Sequence, residues 1–336
     1  MKRKTIQFLC ITFILILGMC LSISAQKSHS SIEQVSKMYE PAFQTALNWL
    51  AANPEVIPGD PERERILKTL DKPFAEEDAK MMPVTGRYFH ERMSAFLSDF
   101  EKTKPQKGVV IWKLYNHTDI IRTPQLTIAI DLINGFEQVA WNDADLDRAI
   151  AGIDLLLITH EHSDHADPYV VKKFLKAGKQ VIVQKEMWKY ESYGKKLTRM
   201  QEGSVTIKDV KLTVFPAFQK DTPNNVYFIE TADGLKIMHI GDDNEMEHVT
   251  MEWFRKFKPP LDIDVLLPNS WCPNLAVLLK YVKPKVMISG HEHELSHTVS
   301  GRRSYNYVYS VLSTVKVPFL VPAWGEKMVF IPGFSM

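Results

Sequence analysis

Apolar residues run through this chain in two rhythms, and the change between them divides it. From about Ser31 to Thr103 they recur at helical spacing, as in Val35, Tyr39, Phe43, Leu47 and Leu50, with breaks at Pro54, Pro58, Pro61, Pro73 and Pro83. That pattern predicts three or four helices and no strand. From Gly108 short β-rich runs alternate with helices: Val109 to Leu114, Leu126 to Leu132, Leu155 to Thr159, Val181 to Val183, Val205 to Ile207 and Leu212 to Phe215. Asn142 caps a predicted helix over Asp143 to Ala151 that Gly152 closes, and Ile153 to Ile158 reads as a buried strand ending at Thr159-His160. Val226 to Thr231 and Leu235 to Ile240 flank Ala232-Asp233-Gly234 as a hairpin. Met246 to Phe257 reads as a helix, and Ile263 to Leu267, Val286 to Ser289, Phe319 to Val321 and Met328 to Ile331 read as strands. Two comparable halves of this kind predict sheets packed face to face with helices outside.

The first 25 residues follow another code. Lys2, Arg3 and Lys4 precede an apolar run from Ile6 to Ile23, and small residues follow at Ser24 and Ala25. This is the pattern of a signal peptide cleaved after Ala25. A membrane anchor or a lipoprotein through Cys20 are the alternatives, the second disfavoured by Met19, where a small residue is expected. The expected organisation is therefore 1–25 signal peptide, 26–105 helical extension and 106–336 sheet-containing domain, exported and without a stable membrane span once cleaved. Of 41 basic residues Lys2, Arg3 and Lys4 leave with the signal, so 38 face 40 acidic ones. With no basic excess to neutralise phosphates, nucleic acid is excluded as the expected partner. Cleavage also removes Cys10 and Cys20, so the exported chain keeps Cys272 alone and has no internal disulfide.

Six of the eleven histidines fall in two windows, His160-Glu161-His162-Ser163-Asp164-His165 and His291-Glu292-His293-Glu294-Leu295-Ser296-His297. Both begin where a buried strand ends, the edge at which open sheets place their ligands. Imidazole and carboxylate are good ligands for zinc and similar ions. With these residue fractions, His-x-His-x-Asp-His arises by chance in about one chain in a thousand, so the first window reads as a metal site.

That motif resembles the metallo-β-lactamase superfamily, over about Gly108 to Met336, and within it the branch of ascorbate-phosphate lactonase-like and N-acylphosphatidylethanolamine phospholipase-D-like proteins. The resemblance implies an α/β (α+β) fold, a four-layer αββα sandwich with a dinuclear metal centre at one sheet edge, here carrying the helical extension. On that basis His160 and His162 match ligands of a first metal and Asp164 and His165 those of a second. Asp242, in His239-Ile240-Gly241-Asp242, matches the bridging carboxylate, and His291 the last ligand of the second metal. Asp131 looks like the aspartate that buttresses the site. The family's third histidine for the first metal is missing, since none occurs from Ala166 to Met238. Gln219 stands in its place, with Asp221 as a substitute donor. An amide oxygen is a weak ligand, so the second site is expected to fill first and a dinuclear centre to need added metal.

His239 faces away from Asp242 by strand alternation and reads as structural. His29, His90, His117 and His248 read as surface or satisfied core residues. Asp243, Asn244, Asn269, Trp271 and Cys272 follow strands on the same edge, and Asn269, Trp271, His293 and His297 are the candidate pocket residues. His293-Glu294-Leu295-Ser296-His297 is also a literal His-Glu-x-x-His, the helical zinc motif of metallopeptidases, but chance yields it in about one chain in fifty of this composition. The expected function is an exported hydrolase that uses Zn2+, one ion or two, with Mn or Fe as alternatives. It would act on a lactone, ester or phosphodiester of a small-molecule or lipid-like substrate, with Asp164 ligating the metal and orienting the attacking water. The alternative of another class is a metal-binding protein that has lost hydrolysis through Gln219.

Overall fold

This computed structural model describes residues 30–244, 261–273 and 275–335. The signal segment, His29, His248 and the helix expected over Met246 to Phe257 lie outside the described residues. The chain opens with helix α1 (30–52), which buries Ser36, Tyr39, Phe43, Ala46 and Leu50 along one face. Steps of three and four residues set that stripe. Helix α2 (Pro61–Lys68) starts where the Asp60 carboxylate accepts from the backbone of Glu62 and Arg63, the usual relief for unpaired N-terminal amides. Helices α3 (Asp71–Phe74) and α4 (Pro83–Lys102) complete this segment. Among the described residues no helix is long and apolar enough to cross a membrane.

The first sheet is built from β1 (Val109–Lys113), β2 (Asp119–Arg122), β3 (Thr127–Ile130), β6 (Leu155–Leu157), β7 (Gln180–Val183), β8 (Thr198–Arg199) and β16 (Glu326–Phe330). Its order is β16-β1-β2-β3-β6-β7-β8, with β3 to β8 parallel. The second contains β9 (Gly203–Ile207), β10 (Val210–Gln219), β11 (Thr222–Thr231), β12 (Lys236–His239), β13 (Val265–Leu267), β14 (Val286–Ile288) and β15 (Phe319–Leu320). It runs β15-β14-β13-β12-β11-β10-β9, with β12 to β15 parallel. A small hairpin of β4 (Gly135–Phe136) and β5 (Val139–Ala140) stands apart, and helices α5 (Asp143–Ala151), α6 (Pro168–Lys176), α7 (Leu275–Val282) and α8 (Tyr305–Leu312) fill the connections.

Strand alternation sorts the apolar residues into two cores. Val109, Ile111, Ile128, Ile130, Leu155, Leu157, Leu212, Val214, Tyr227, Ile229, Ile237, Val265, Val286 and Ile288 meet between the sheets. Their neighbours Val110, Trp112, Ala129, Leu156, Phe215, Val226, Phe228, Met238, Leu266 and Met287 face the helices. The result is the four-layer αββα sandwich. The Asn142 cap and Gly152 stop of α5 and the hairpin around Ala232-Asp233-Gly234 are where the sequence places them. Strand β2 escapes the apolar pattern because its ends are charged. Arg122 is nevertheless buried, donating to the carbonyls of Phe100, Thr103 and Gly152 with its guanidinium 3.8 Å above the Phe100 ring.

The N-terminal helices share the helix-facing core. Phe43, Phe74 and Tyr88 pack with Trp324 from the C-terminal part, the Phe74–Trp324 centroids being 5.1 Å apart. Arg63 of α2 meets Glu326 of β16 at 2.6 Å with both side chains almost fully buried, and also donates to the carbonyls of Asn53 and Glu55. Removing one member of such a pair leaves the other charge without compensation. Arg63→Ala is therefore expected to cost about 3–5 kcal/mol of unfolding free energy in urea titration; a loss under about 1 kcal/mol would show that the helices dock without this pair.

Candidate metal centre

Strands β3, β6, β12, β13 and β14 each end just before a residue already singled out by sequence, and the loops beyond them converge. Asp164, His165, Asp242 and His291 each offer a ligand atom, and the four atoms lie within 4.8 Å of one another, all buried. His165 Nε2 is 3.4 Å from both Asp164 Oδ2 and Asp242 Oδ2, and His291 Nε2 is 3.3 Å from each. A tight turn after β6, in which the amides of His165 and Ala166 donate to the His162 carbonyl, brings Asp164 and His165 back over the strand end.

Asp131 organises this loop. At the end of β3, with a left-handed φ of 50°, it accepts from the Thr159 amide at 2.7 Å, the Thr159 hydroxyl at 2.6 Å and His165 Nδ1 at 2.8 Å. The Thr159 oxygen in turn lies 3.0 Å from His160 Nδ1. With Nδ1 of each ring bearing a proton, His165 bonded directly to Asp131 and His160 linked to it through Thr159 turn their Nε2 atoms into the centre. Gly241, at φ +56°, lets the loop before Asp242 pass close by: a Cβ there would lie 2.3 Å from Asn224 Oδ1 and 2.8 Å from Thr159 Cβ.

The donor set suits a divalent cation. His160 Nε2, His165 Nε2, His291 Nε2 and Asp242 Oδ1 are buried without hydrogen-bond partners. Leaving such atoms unpaired costs about 1–3 kcal/mol each, and imidazole nitrogens with carboxylate oxygens are what zinc-like ions coordinate.

The remaining residues of the expected first site gather less tightly. His160 Nε2 is 4.0 Å from Asp242 Oδ2, whereas His162 is exposed, its ring 4.7 Å from that of His160 and its Nε2 3.4 Å from the Thr222 hydroxyl. Gln219 does reach the centre, as its place at the end of β10 requires. It presents its nitrogen, donating to Asp242 Oδ2 at 3.0 Å, while its Oε1 is buried without a partner. Asp221 is exposed in the Lys220-Asp221 turn between β10 and β11.

Two pocket expectations need correction. Asn269 is buried and donates to the carbonyls of Gly241 and Asp243, so it shapes the Asp242 loop instead of lining a pocket. His293 points away from the centre, with Nε2 2.7 Å from Asp71 of α3. Trp271 and His297 stay at the site: the Trp271 ring is 5.8 Å from that of His291, and His297 Nε2 is 3.5 Å from Asp164 Oδ2. The peptidase reading fails on geometry. Residues 291–297 form turns, so His293 and His297 share no helix face, and Glu294 is sealed beneath them, accepting from the Tyr115 hydroxyl and the Ser296 amide.

A brace that the sequence reading passed over is the turn between β1 and β2. Tyr115 holds Glu294, Asn116 donates to the Asp164 carbonyl at 2.9 Å, and Thr118 donates to the Asp131 carbonyl at 2.5 Å. His117, expected at the surface or in the core, is fully buried, its Nδ1 3.8 Å from Asp242 Oδ1. Gly290 is glycine for this reason, since a Cβ would lie 2.2 Å from the His117 ring. A polar Asn-His-Thr break between two apolar runs was the available signal. His117 also clusters with Asp119 and His239 within 4.8 Å. There His239 Nδ1 accepts from the Gly241 amide at 3.0 Å, so its proton sits on Nε2, facing Asp119 Oδ2 at 3.4 Å. That leaves no bare His239 nitrogen for a cation, and His239 acts structurally.

Electrostatics follow the geometry. Burial alone would depress His165 and His291, but Asp242 and Asp164 around both, with Asp131 beside His165, reverse the sign: His165 is held well above the usual histidine range and His291 rises to about 10. Burial opposes ionisation of Asp164 and Asp242, yet the two imidazoliums hold both carboxyls below their usual range. His160 is pushed down to about 3 by burial and by His165. In the ion-free chain the raised histidine stabilises the fold below the ordinary histidine range, and that contribution fades as pH rises toward about 10. A cation needs the same nitrogens bare. Metal affinity is therefore expected to rise from about pH 6 to about pH 9 with proton release, read by calorimetry in buffers of different ionisation heat; uptake without proton release would contradict it. Asp131→Ala is expected to weaken metal affinity about 10–100-fold, as loss of a histidine's outer partner does, and unchanged affinity would remove Asp131 from this role.

The sequence model of the family described as a beta-lactamase superfamily domain matches residues 114–268. A metal-dependent hydrolase of Pyrococcus furiosus is 28% identical over 154 residues, a match that takes in 41% of this chain and 66% of that protein, just under two thirds of its length. Two crystal structures share the fold. One, of a possible metal-dependent hydrolase from Veillonella parvula DSM 2008, has a TM-score of 0.51 at 16% identity and covers 67% of this chain and 100% of its own. The other, of an isothiocyanate hydrolase from Delia radicum gut bacteria, has a TM-score of 0.52 at 15% identity and covers 66% and 99%. The family match spans both the first histidine window and Asp242, and the sandwich whose strand ends carry the donor set is the fold of these solved structures, so the chain is similar to beta-lactamase superfamily proteins in sequence over 114–268 and in architecture.

Proposed function

We propose that this protein is a metal-dependent hydrolase, exported by its N-terminal signal, that acts on a lactone, ester or phosphodiester of a small-molecule or lipid-like substrate. The observation that carries this is the convergence of Asp164, His165, Asp242 and His291, with the Nε2 atoms of His165, His291 and the neighbouring His160 and one Asp242 oxygen buried at one sheet edge without hydrogen-bond partners. The similar Pyrococcus furiosus protein, itself a metal-dependent hydrolase, supports the reading. Those four residues would hold the ion, Zn2+ in the first instance, with Mn or Fe served by the same donors. A bound divalent cation supplies Lewis acidity, acidifying water and polarising the carbonyl or phosphoryl oxygen under attack. Asp164 Oδ2 faces His297 at the mouth and orients the attacking water by accepting its hydrogen bond. Asp131 and Thr159 keep the histidines in the tautomer the ion requires. Loss of the family's third histidine at Gln219 favours one resident ion, because the amide nitrogen turned toward Asp242 is no ligand.

Metal analysis of protein purified without supplementation is expected to give close to one ion per chain, rising toward two in Gln219→His. Two ions in the parent would overturn the mononuclear reading. Across ester, lactone and phosphodiester panels, Asp164→Ala and His291→Ala should each lower kcat by about a thousandfold or more, and unchanged rates would sink the hydrolase. Tightly bound metal without turnover on any panel would instead favour a binding protein on this scaffold.

A further inference from the structure

Beside the metal centre, a pocket of about 280 Å³ lies between the N-terminal helices and the 295–302 loop. Glu77 and Lys80 line it from the helical segment, and Ser296, His297, Thr298 and Arg302 from the loop. His297 belongs to both places, since the same side chain lies 3.5 Å from Asp164 Oδ2. A larger cavity of about 730 Å³ beside Lys185 and Arg199 shares no residue with the metal centre.

The smaller pocket gathers two cations in different circumstances, Arg302 and Lys80. Arg302 donates to five carbonyls, those of Phe74, Glu76, Glu77, Leu295 and His297. Every acceptor is neutral, so the guanidinium clasps helices to loop, and its charge is balanced from nearby by the Glu294 and Glu77 carboxylates. Lys80 is half-buried, and its ammonium has no acidic partner among the described residues. Its backbone is fixed in the short turn Ala79–Met81, with its carbonyl accepting from the Gln138 amide. Arg302 thus has Glu77 and the buried Glu294 as balancing charges, whereas Lys80 is the pocket cation left without a partner, in a half-enclosed space beside a centre whose carboxylates a bound ion would offset. An unpartnered ammonium in such a space favours an anionic group.

We propose that this pocket is a substrate subsite for an anionic group, a carboxylate held by the Lys80 ammonium, which sets the scissile bond over Asp164 and His297. The proposal rests on the hydrolase reading and narrows its substrate class to acidic esters or lactones. It also gives the N-terminal helices a role, because Lys80 reaches the site only while they are docked.

The test uses the full metal-loaded protein and two chromogenic esters of equal acyl length, 4-nitrophenyl hemisuccinate and 4-nitrophenyl butyrate, together with calorimetric titration of succinate. Wild type is expected to favour the hemisuccinate through KM, and Lys80→Gln to lower the hemisuccinate-to-butyrate ratio of kcat/KM about tenfold. Succinate binding should weaken by a similar factor, metal content should stay unchanged, and Lys80→Arg should restore the preference. If neither ester turns over, the hydrolase reading is what fails, and succinate binding alone decides the subsite. Succinate binding that is undetectable, or equal in wild type and Lys80→Gln, overturns the subsite whether or not the esters are hydrolysed.

Discussion

The metal centre depends on one buried carboxylate. Asp131 touches no substrate-facing atom, yet it accepts three hydrogen bonds that define the loop after β6. Through them the rings of His160 and His165 are held in one tautomer with Nε2 turned inward. Without water to complete those bonds, alternative loop conformations would each leave a charge or an imidazole unpaired in the interior. A desolvated anion thereby specifies a geometry instead of merely adding stability, and it holds an αL backbone at Asp131 that an ordinary strand end would avoid.

The sandwich supplies the rigid frame for that constraint. Parallel strands β3 and β6 in one sheet and β12, β13 and β14 in the other finish at the same edge, so residues far apart in sequence need only short loops to meet. The turn between β1 and β2 then locks the loops from below, with Tyr115, Asn116 and Thr118 each holding a different one. The helical segment contributes from outside. Asp71 pins His293, and Arg302 joins the 295–302 loop to the carbonyls after α3, so the position of His297 is tied to helices more than two hundred residues away in the chain.

Gln219 lies at the margin of the donor cluster, and the donors around it are unequally packed. The end of β10 brings Gln219, the residue the resemblance sets where histidine is expected, within hydrogen-bond reach of Asp242. Its amide nitrogen points at Asp242, an orientation that suits an unmetallated carboxylate and leaves the neighbouring imidazoles short of a third donor. His162 is correspondingly exposed, whereas the four residues expected around the second ion are packed together and buried.

Much of this was legible in the sequence, because alternation and ligand spacing are local properties. The two cores follow from period-two placement of Val, Ile and Leu, and the first histidine window names its own chemistry, since such a run rarely arises by chance. Asp242 and His291 were found through a resemblance in order and context, each after a strand and a glycine. The tertiary structure alone decided the rest. The sequence does not say that Asn269 turns inward to backbone carbonyls, that His293 is taken by Asp71 while His297 stays at the mouth, or that His117 lies buried behind Asp242. Nor does it say that a helical lysine shares a pocket with the metal loop. Those outcomes depend on which partner reaches a polar group first when distant segments are packed together, and one-dimensional spacing carries no information about that competition.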